Sequence, residues 1–239
     1  MNGAMAVENA LPVFYDQKDG KNLRDTMNSN KIYSIKEIFL TLQGEGHNAG
    51  KTAVFCRFSG CNLWNGNEKD RKKAICSFCD TDFKGVDGIN GGKYSVGLLV
   101  KKIVSLWPKL KRNRFIVFTG GEPLLQLDNK LIKKVKDKGF KVAVETNGTL
   151  PVSNLIDWVC VSPKIKSELV VTKGDEIKVV YPQDGINLSK YEKYHFKHFY
   201  LQPLDNRSFI LNNKKTIEYI LKNPKWKLSI QTHKYLKIK

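Results

Sequence analysis

No run of about 18 apolar residues occurs in the 239-residue chain, so no segment has the length of a membrane-spanning helix. The N-terminus also lacks the basic stretch and apolar core of a secretory signal, so a soluble, cytoplasmic setting is the expected one. Arginine is scarce, 6 residues against 35 lysines, and no run of five like charges appears despite a net charge of +18. Base-reading surfaces lean on arginine, so the lysine coat reads as a solvated face without a stable nucleic-acid complex. Cysteine is sparse and odd in number, five in all, which argues against a disulfide framework.

What the chain does have is a cluster of three of those cysteines. Cys61, Cys76 and Cys79 stand in the spacing C-x14-C-x2-C within residues 60–81. A loop that gathers three thiolates can hold a metal centre and leave one coordination position open for chemistry. The cysteines alone allow two readings: a zinc site closed by His47, His195, His198 or His233, or a four-iron cluster with one free iron. The 14-residue gap is long for a compact zinc knuckle. Cys160, in the apolar run 158–161, reads as a small buried hydrophobe.

In chain order, residues 1–30 show little periodicity and read as an N-terminal extension, poorly ordered unless it docks elsewhere; residues 31–239 read as one catalytic domain. Strands are expected over 34–42 and 52–58, then over 114–118, 140–145, 157–161, 176–181, 198–202 and 227–231. Helices are expected over 95–107, capped by Ser95, and around 127–139 and 214–222. Alternation along 52–58 sets Arg57 opposite Cys56, so an inward Arg57 reads either as a carboxylate clamp or as a salt-bridged edge residue. Polar clusters follow one strand after another: Gln43-Gly44-Glu45-Gly46, Thr119-Gly120-Gly121-Glu122-Pro123, Thr146-Asn147-Gly148, Ser162-Pro163-Lys164 and Gln202-Pro203-Leu204-Asp205. Ligands bind at such strand ends in parallel α/β folds. With seven or eight strands and only three substantial helices, an incomplete TIM-like barrel is the expected α/β architecture.

The order FCRFSGCNLW (55–64), CSFCDTD (76–82) and TGGEP (119–123) resembles the radical S-adenosylmethionine superfamily. The expanded cysteine loop, LQGEG (42–46), ETNG (145–148), SPK (162–164), QPLD (202–205) and QTHKYL (231–236) narrow the resemblance, from about Tyr33 onward, to 7-carboxy-7-deazaguanine synthases. That resemblance implies a modified partial barrel of the radical SAM type, a homodimer, and a carbon–nitrogen lyase of queuosine biosynthesis. It implies conversion of 6-carboxy-5,6,7,8-tetrahydropterin to 7-carboxy-7-deazaguanine with loss of ammonia, begun by a 5'-deoxyadenosyl radical. By the same resemblance, Cys61, Cys76 and Cys79 ligate a [4Fe-4S] cluster. Phe78, Cys79, Asp80, Gly121, Ser162, Pro163, Lys164, Gln202, Pro203, Leu204 and Asp205 contact S-adenosylmethionine. Thr81 binds Mg2+, while Leu42, Gln43, Gly44, Arg57, Thr119 and the terminal carboxylate of Lys239 meet the pterin. An electron donor of flavodoxin or ferredoxin type is implied as well. The tail departs from the family pattern, ending Leu236-Lys237-Ile238-Lys239 where a proline is usual. The alternative from another class is a zinc-stabilised basic module that binds tRNA.

Overall fold

Short runs of branched and aromatic residues, each closed by glycine or a polar cluster, make strands, and the amphipathic stretches between them make helices. The computed structural model describes residues 31–109 and 112–239; the extension read over residues 1–30 lies outside the described residues. The elements in order are β1 (Ile32–Leu42), β2 (Thr52–Phe58), a 3-10 turn (Glu68–Lys73), β3 (Gly92–Ser95), α1 (Val96–Leu106), β4 (Phe115–Gly120) and a second 3-10 turn (Pro123–Leu125). Then come α2 (Asn129–Lys136), β5 (Lys141–Thr146), β6 (Trp158–Val161), β7 (Lys173–Tyr181), α3 (Leu188–Glu192), β8 (His195–Pro203), α4 (Phe209–Lys222), β9 (Lys227–Leu228) and α5 (Thr232–Leu236).

Among the described residues the strands form one nine-stranded sheet in the order β3-β1-β2-β4-β5-β6-β7-β8-β9, and β3 does not pair with β9. The sheet is therefore unclosed, as expected of a partial barrel. The β1–β2 pair is antiparallel and every pairing from β2 to β9 is parallel. All of Phe115–Thr119 in β4 is buried, as a parallel strand covered on both faces requires. One core joins β1, β2, β4 and β5 to α1 and α2 through Leu99, Ile103, Leu131 and Val135. A second joins β6–β8 to α3 and Trp226.

Three local readings are corrected. Ser95 occupies the N-cap position of α1 but its side chain makes no capping bond. A side-chain cap does form at Asp128, whose carboxylate accepts from Leu131 N at 2.9 Å and starts α2 two residues after the expected Leu127. The last strand stops at Leu228 instead of 231, because the polar groups beyond it bond elsewhere: Ser229 Oγ accepts from Gly46 N at 3.0 Å, and Thr232 N donates to Gly44 O at 3.0 Å.

These last contacts position the site. The segment after Leu42 crosses the open side of the sheet, with Gln43 bonding Glu145 of β5, Glu45 bonding Lys178 of β7 and Gln202 of β8, and Gly44 bonding Thr232 beyond β9. It bridges the gap that an unclosed barrel leaves.

Candidate active site

A cavity of about 360 Å³ opens inside the sheet. Of the residues expected in a site, all but Pro163 line it. Pro163, between Ser162 and Lys164, is buried and does not itself line the cavity.

The sulfur wall is built by close backbone approach. Cys61 follows β2 through Ser59 and Gly60, and its Sγ accepts from Leu63 N at 3.4 Å. Gly121, at the end of β4, lies so near that a Cβ there would stand 2.1 Å from Gly60 O and 2.8 Å from Cys61 Cβ. The adjoining Glu122 is fully buried: its carboxylate accepts from Thr146 Oγ1 at 2.8 Å, Asn147 N at 2.8 Å and Leu124 N at 3.0 Å. Burial pushes the Glu122 carboxyl up against those donors. Asn147 Nδ2 then donates to Asn62 Oδ1 at 2.9 Å, so the loops after β4 and β5 together fix the residue next to Cys61.

The insertion between Cys61 and Cys76 is braced by Arg71. Its guanidinium pairs with Glu68 at 2.6 and 2.7 Å, donates to Ser77 O at 3.0 Å and Cys79 O at 2.8 Å, and lies 4.2 Å from the Trp64 ring centre. A fork with five donors can serve several acceptors at once. Hydrogen bonding between Cys76 and Cys79 raises the first thiol and lowers the second to about 6, while burial pushes Cys61 up. A thiol with thiolate character at neutral pH is a ready metal ligand.

Beyond the thiols, Asp80 is tied to the turn after β8, because Lys234 of α5 pairs with Asp80 and with Asp205, each at 2.7 Å. Lys164 Nζ donates to Ser162 Oγ at 2.8 Å and stands 5.8 Å from the Phe78 ring. Thr81 lies on the same wall with its hydroxyl unengaged by any described residue.

The opposite wall is charged. Lys178, 4% exposed, pairs with Glu45 at 2.5 Å and approaches Glu145 at 3.7 Å. Glu145 accepts from Gln43 Nε2 at 2.7 Å, and Glu45 accepts from Gln231 Nε2 at 2.9 Å and Gln202 Nε2 at 3.2 Å. Burial works against the charge of Glu45, yet the Lys178 ammonium outweighs it and holds the carboxyl at about 2. Burial opposes Lys178 in the same way, and Glu145 with Glu45 still lifts it well above the usual lysine range. At the rim, Arg57 Nε bonds Glu37 at 2.9 Å and Lys239 Nζ bonds the same carboxylate at 2.7 Å. Register pairs Arg57 with Thr119, which puts both on the cavity face. The Arg57 Nη groups have no partner among the described residues, so the salt bridge and the clamp are compatible.

The donor set fits an iron–sulfur cluster. Among the described residues no three or more His, Cys, Asp or Glu converge as a single-ion site, whereas three thiols surround one volume. Thiols spread around a space suit the corners of a multi-iron cluster. Of the histidines the zinc reading needs, His47 and His198 stack 3.9 Å apart beside Trp158, His195 is exposed at the start of β8, and His233 lines the cavity, packed on Gly44, without forming an ion site with the thiols among the described residues.

Comparison with known proteins agrees. The radical SAM superfamily model matches residues 72–160, starting inside the insertion and so downstream of Cys61. A 7-carboxy-7-deazaguanine synthase of Burkholderia multivorans is 57% identical over 207 residues, covering 86% of this chain and 99% of that protein. The chain belongs to the 7-carboxy-7-deazaguanine synthase family. Another member of this synthase family, from Caulobacter vibrioides, is 52% identical over 85% of this chain and 98% of its own length. The crystal structure of QueE from Escherichia coli superposes with a TM-score of 0.62 at 26% identity, covering 86% of this chain and 96% of that one.

Within this synthase-family site the sequence reading missed Arg71 and Lys178, and quoted Glu45, Glu145, Gln231 and Lys234 inside motifs without giving them a role. A signal existed for Lys178 and Glu176: both are charged residues within the otherwise apolar strand Glu176-Ile177-Lys178-Val179-Val180, and both are buried.

Proposed function

We propose that the chain is a carbon–nitrogen lyase that converts 6-carboxy-5,6,7,8-tetrahydropterin to 7-carboxy-7-deazaguanine and ammonia in queuosine biosynthesis. The observation that carries this reading is that three thiols and a set of hydrogen-bonding and charged groups line one cavity. When bound, the cluster and S-adenosylmethionine supply the one-electron chemistry that starts hydrogen abstraction, which no side chain can perform. The chain's own groups bind, orient and enclose. Cys61, Cys76 and Cys79 hold the cluster; Phe78, Asp80, Gly121, Ser162, Lys164 and the turn Gln202 to Asp205 take the sulfonium cofactor.

Arg57 offers its free Nη pair to the substrate carboxylate, and bidentate pairing of this kind fixes orientation as well as charge. Leu42, Gln43, Gly44 and Thr119 take the pterin edge, with Lys239 beside them at the rim. The unengaged hydroxyl of Thr81, on the cofactor wall, supports a Mg2+ ligand there; such an ion keeps most of its waters and accepts substrate oxygens. Replacing Thr81 by Ala is expected to leave iron content unchanged while the response of turnover to added Mg2+ falls at least tenfold. Loss of iron in that variant contradicts the role.

The remainder of the reading is a single catalytic domain over residues 31–239, a homodimer, a cytoplasmic setting and a one-electron donor protein. Free thiols support a reducing compartment, and the exposed Ile210 and Leu221 of α4, 86% and 78% accessible, support a subunit contact. The test is anaerobic incubation of the reduced, iron-loaded protein with S-adenosylmethionine, Mg2+ and the carboxytetrahydropterin. Formation of the deazaguanine with one ammonia per turnover supports the assignment. Cleavage of S-adenosylmethionine without that product rejects the substrate.

A further inference from the structure

One register row across the sheet carries titratable groups that the site described above leaves idle. Glu145 of β5 pairs with Cys160 of β6, Cys160 with Glu176 of β7, and Glu176 with His198 of β8. Paired residues of neighbouring strands point to one face, here the interior, because Glu176 stands two residues before the cavity-lining Lys178. Cys160 and Glu176 are buried, whereas His198 is half-buried and stacks on the exposed His47. The row therefore runs from a solvent-facing pair of imidazoles to a carboxylate in the cavity. Beside it lies a void of about 10 Å³ bounded by Gln43, Glu45, Asn48, Glu145, Cys160 and Glu176. Such a space is the size of about one water, and these side chains supply the polar partners a buried water needs. Gln43, Glu45, Glu145 and Cys160 line the main cavity as well, so the void and the cavity share a wall. Glu176 Oε2 accepts from His47 N at 3.1 Å. Burial pushes the Glu176 carboxyl up, against the pull of the Lys178 ammonium.

We propose that Glu176 is the internal proton store of this site, acting through Glu145 on the nitrogen that leaves the substrate. The inference deepens the lyase reading above and rests on it. Ammonia released near neutral pH leaves as ammonium, so each turnover takes up one proton. The Glu176 carboxyl gives its proton to a water in the void, that water gives one to the Glu145 carboxylate, and Glu145 passes it to the departing nitrogen as its bond to carbon breaks. Glu176, now a carboxylate, is reloaded from solvent at the His47 and His198 end; no electron is exchanged with any other group. Burial and the neighbouring His47 push the His198 imidazole down, which suits a group that hands protons on. Glu176 touches no substrate and is a positioning residue for the proton. The groups that face it are Lys178 on its own strand, Cys160 and Glu145 from β6 and β5, His198 and Tyr200 from β8, and Glu45 and His47 from the segment after β1.

The test follows kcat and the pterin KM against pH for the iron-loaded, dithionite-reduced protein and for Glu176→Gln and Glu176→Asp. Glutamine keeps an oxygen for His47 N but stores no proton. A donor carboxyl is loaded below its pKa and empty above it, so the parent kcat should fall as pH rises through the raised Glu176 value. Glu176→Gln is expected to lower kcat about tenfold or more at the parent optimum and to remove that alkaline limb, with KM changed less than about twofold. Glu176→Asp should recover part of kcat and show a limb displaced in pH. Infrared spectra of the iron-loaded proteins without substrate should show a protonated carboxyl in the parent that titrates above the ordinary carboxylate range and is missing from Glu176→Gln. A parent without the limb or the band overturns the proposal. So does a Glu176→Gln protein that keeps the limb, whether kcat is parental or lowered equally at every pH, and so does a rise in KM alone. If Glu176→Gln retains no iron, Glu176→Asp decides, and a limb at the parental pH overturns the proposal. Absence of the deazaguanine from the unaltered protein instead contradicts the functional reading on which the proposal rests.

Discussion

On one side of the cavity, Cys61 is held by glycines and backbone amides; on the other, Lys178 is held by carboxylates and amide side chains. The sulfur wall owes its shape to absent atoms, since a Cβ at Gly121 would overlap Gly60 O at 2.1 Å. The polar wall owes its shape to charge removed from water, with Glu45, Glu145 and Lys178 satisfied, among the described residues, by one another and by Gln43, Gln202 and Gln231. Steric fit tolerates pH and salt. Buried charge tolerates neither the loss of a partner nor a change in protonation. The difference matches the two tasks proposed for them: one wall to receive an inorganic group at fixed positions, the other to recognise a polar heterocycle by hydrogen bonds.

The largest effect is expected on the charged wall. Lys178→Met removes the buried cation from beside the partly buried Glu45 and Glu145, and breaking such a pair typically costs about 3–5 kcal/mol. Chemical denaturation should show that loss near neutral pH. The sign of the pH dependence is diagnostic. In the unaltered protein the Glu45 carboxyl sits at about 2, so its stabilising contribution is complete above the unfolded value of about 4.3 and fades as pH falls toward 2. In the variant Glu45 loses the ammonium that depresses it and burial pushes its carboxyl up, so the variant should gain stability on acidification through the carboxylate range while the parent gains none from Glu45. A variant that tracks the parent across that range breaks the contrast.

On the sulfur wall, Gly121→Ala is expected to cost about 1–3 kcal/mol through overpacking, with no new pH dependence. Iron retained per chain should drop by more than half, because the added methyl displaces Gly60 and Cys61. Full iron loading with parental stability contradicts the close-approach account. The smallest effect belongs to Lys234→Ala, which removes two ion pairs whose side chains are about 40–50% exposed. Such pairs are worth at most about 1 kcal/mol. Melting should barely move, while the KM for S-adenosylmethionine rises several-fold as Asp80 and Asp205 separate, with kcat little changed.

The two walls also differ in how far they could be read from the chain. The sulfur wall is local: cysteine spacing, the glycines after β4 and the polar strand ends are contiguous motifs, and their positions on the cavity follow once the strands are parallel. The polar wall joins residues 45, 145 and 178, singly placed charges whose partnership exists only after β1, β5 and β7 are assembled around one interior. Arg71 escaped notice for a related reason, because a 14-residue insertion reads as a spacer until its guanidinium is seen on the carbonyls of residues 77 and 79. Pro163 came from a contiguous motif and, unlike its neighbours Ser162 and Lys164, is buried and does not line the cavity. The early stop of β9 likewise depends on Gly44 and Gly46, far away in sequence.

The central claim is that the three thiols of residues 60–81 hold a four-iron cluster with one iron open to S-adenosylmethionine. Its most direct test is electron paramagnetic resonance of the anaerobically reconstituted, reduced protein before and after S-adenosylmethionine is added, with iron and sulfide counted on the same sample. A brown protein with about four irons and four sulfides per chain, whose resonance shifts on adding the cofactor, is the predicted result. A colourless protein carrying one zinc, or a cluster whose resonance ignores the cofactor, contradicts it.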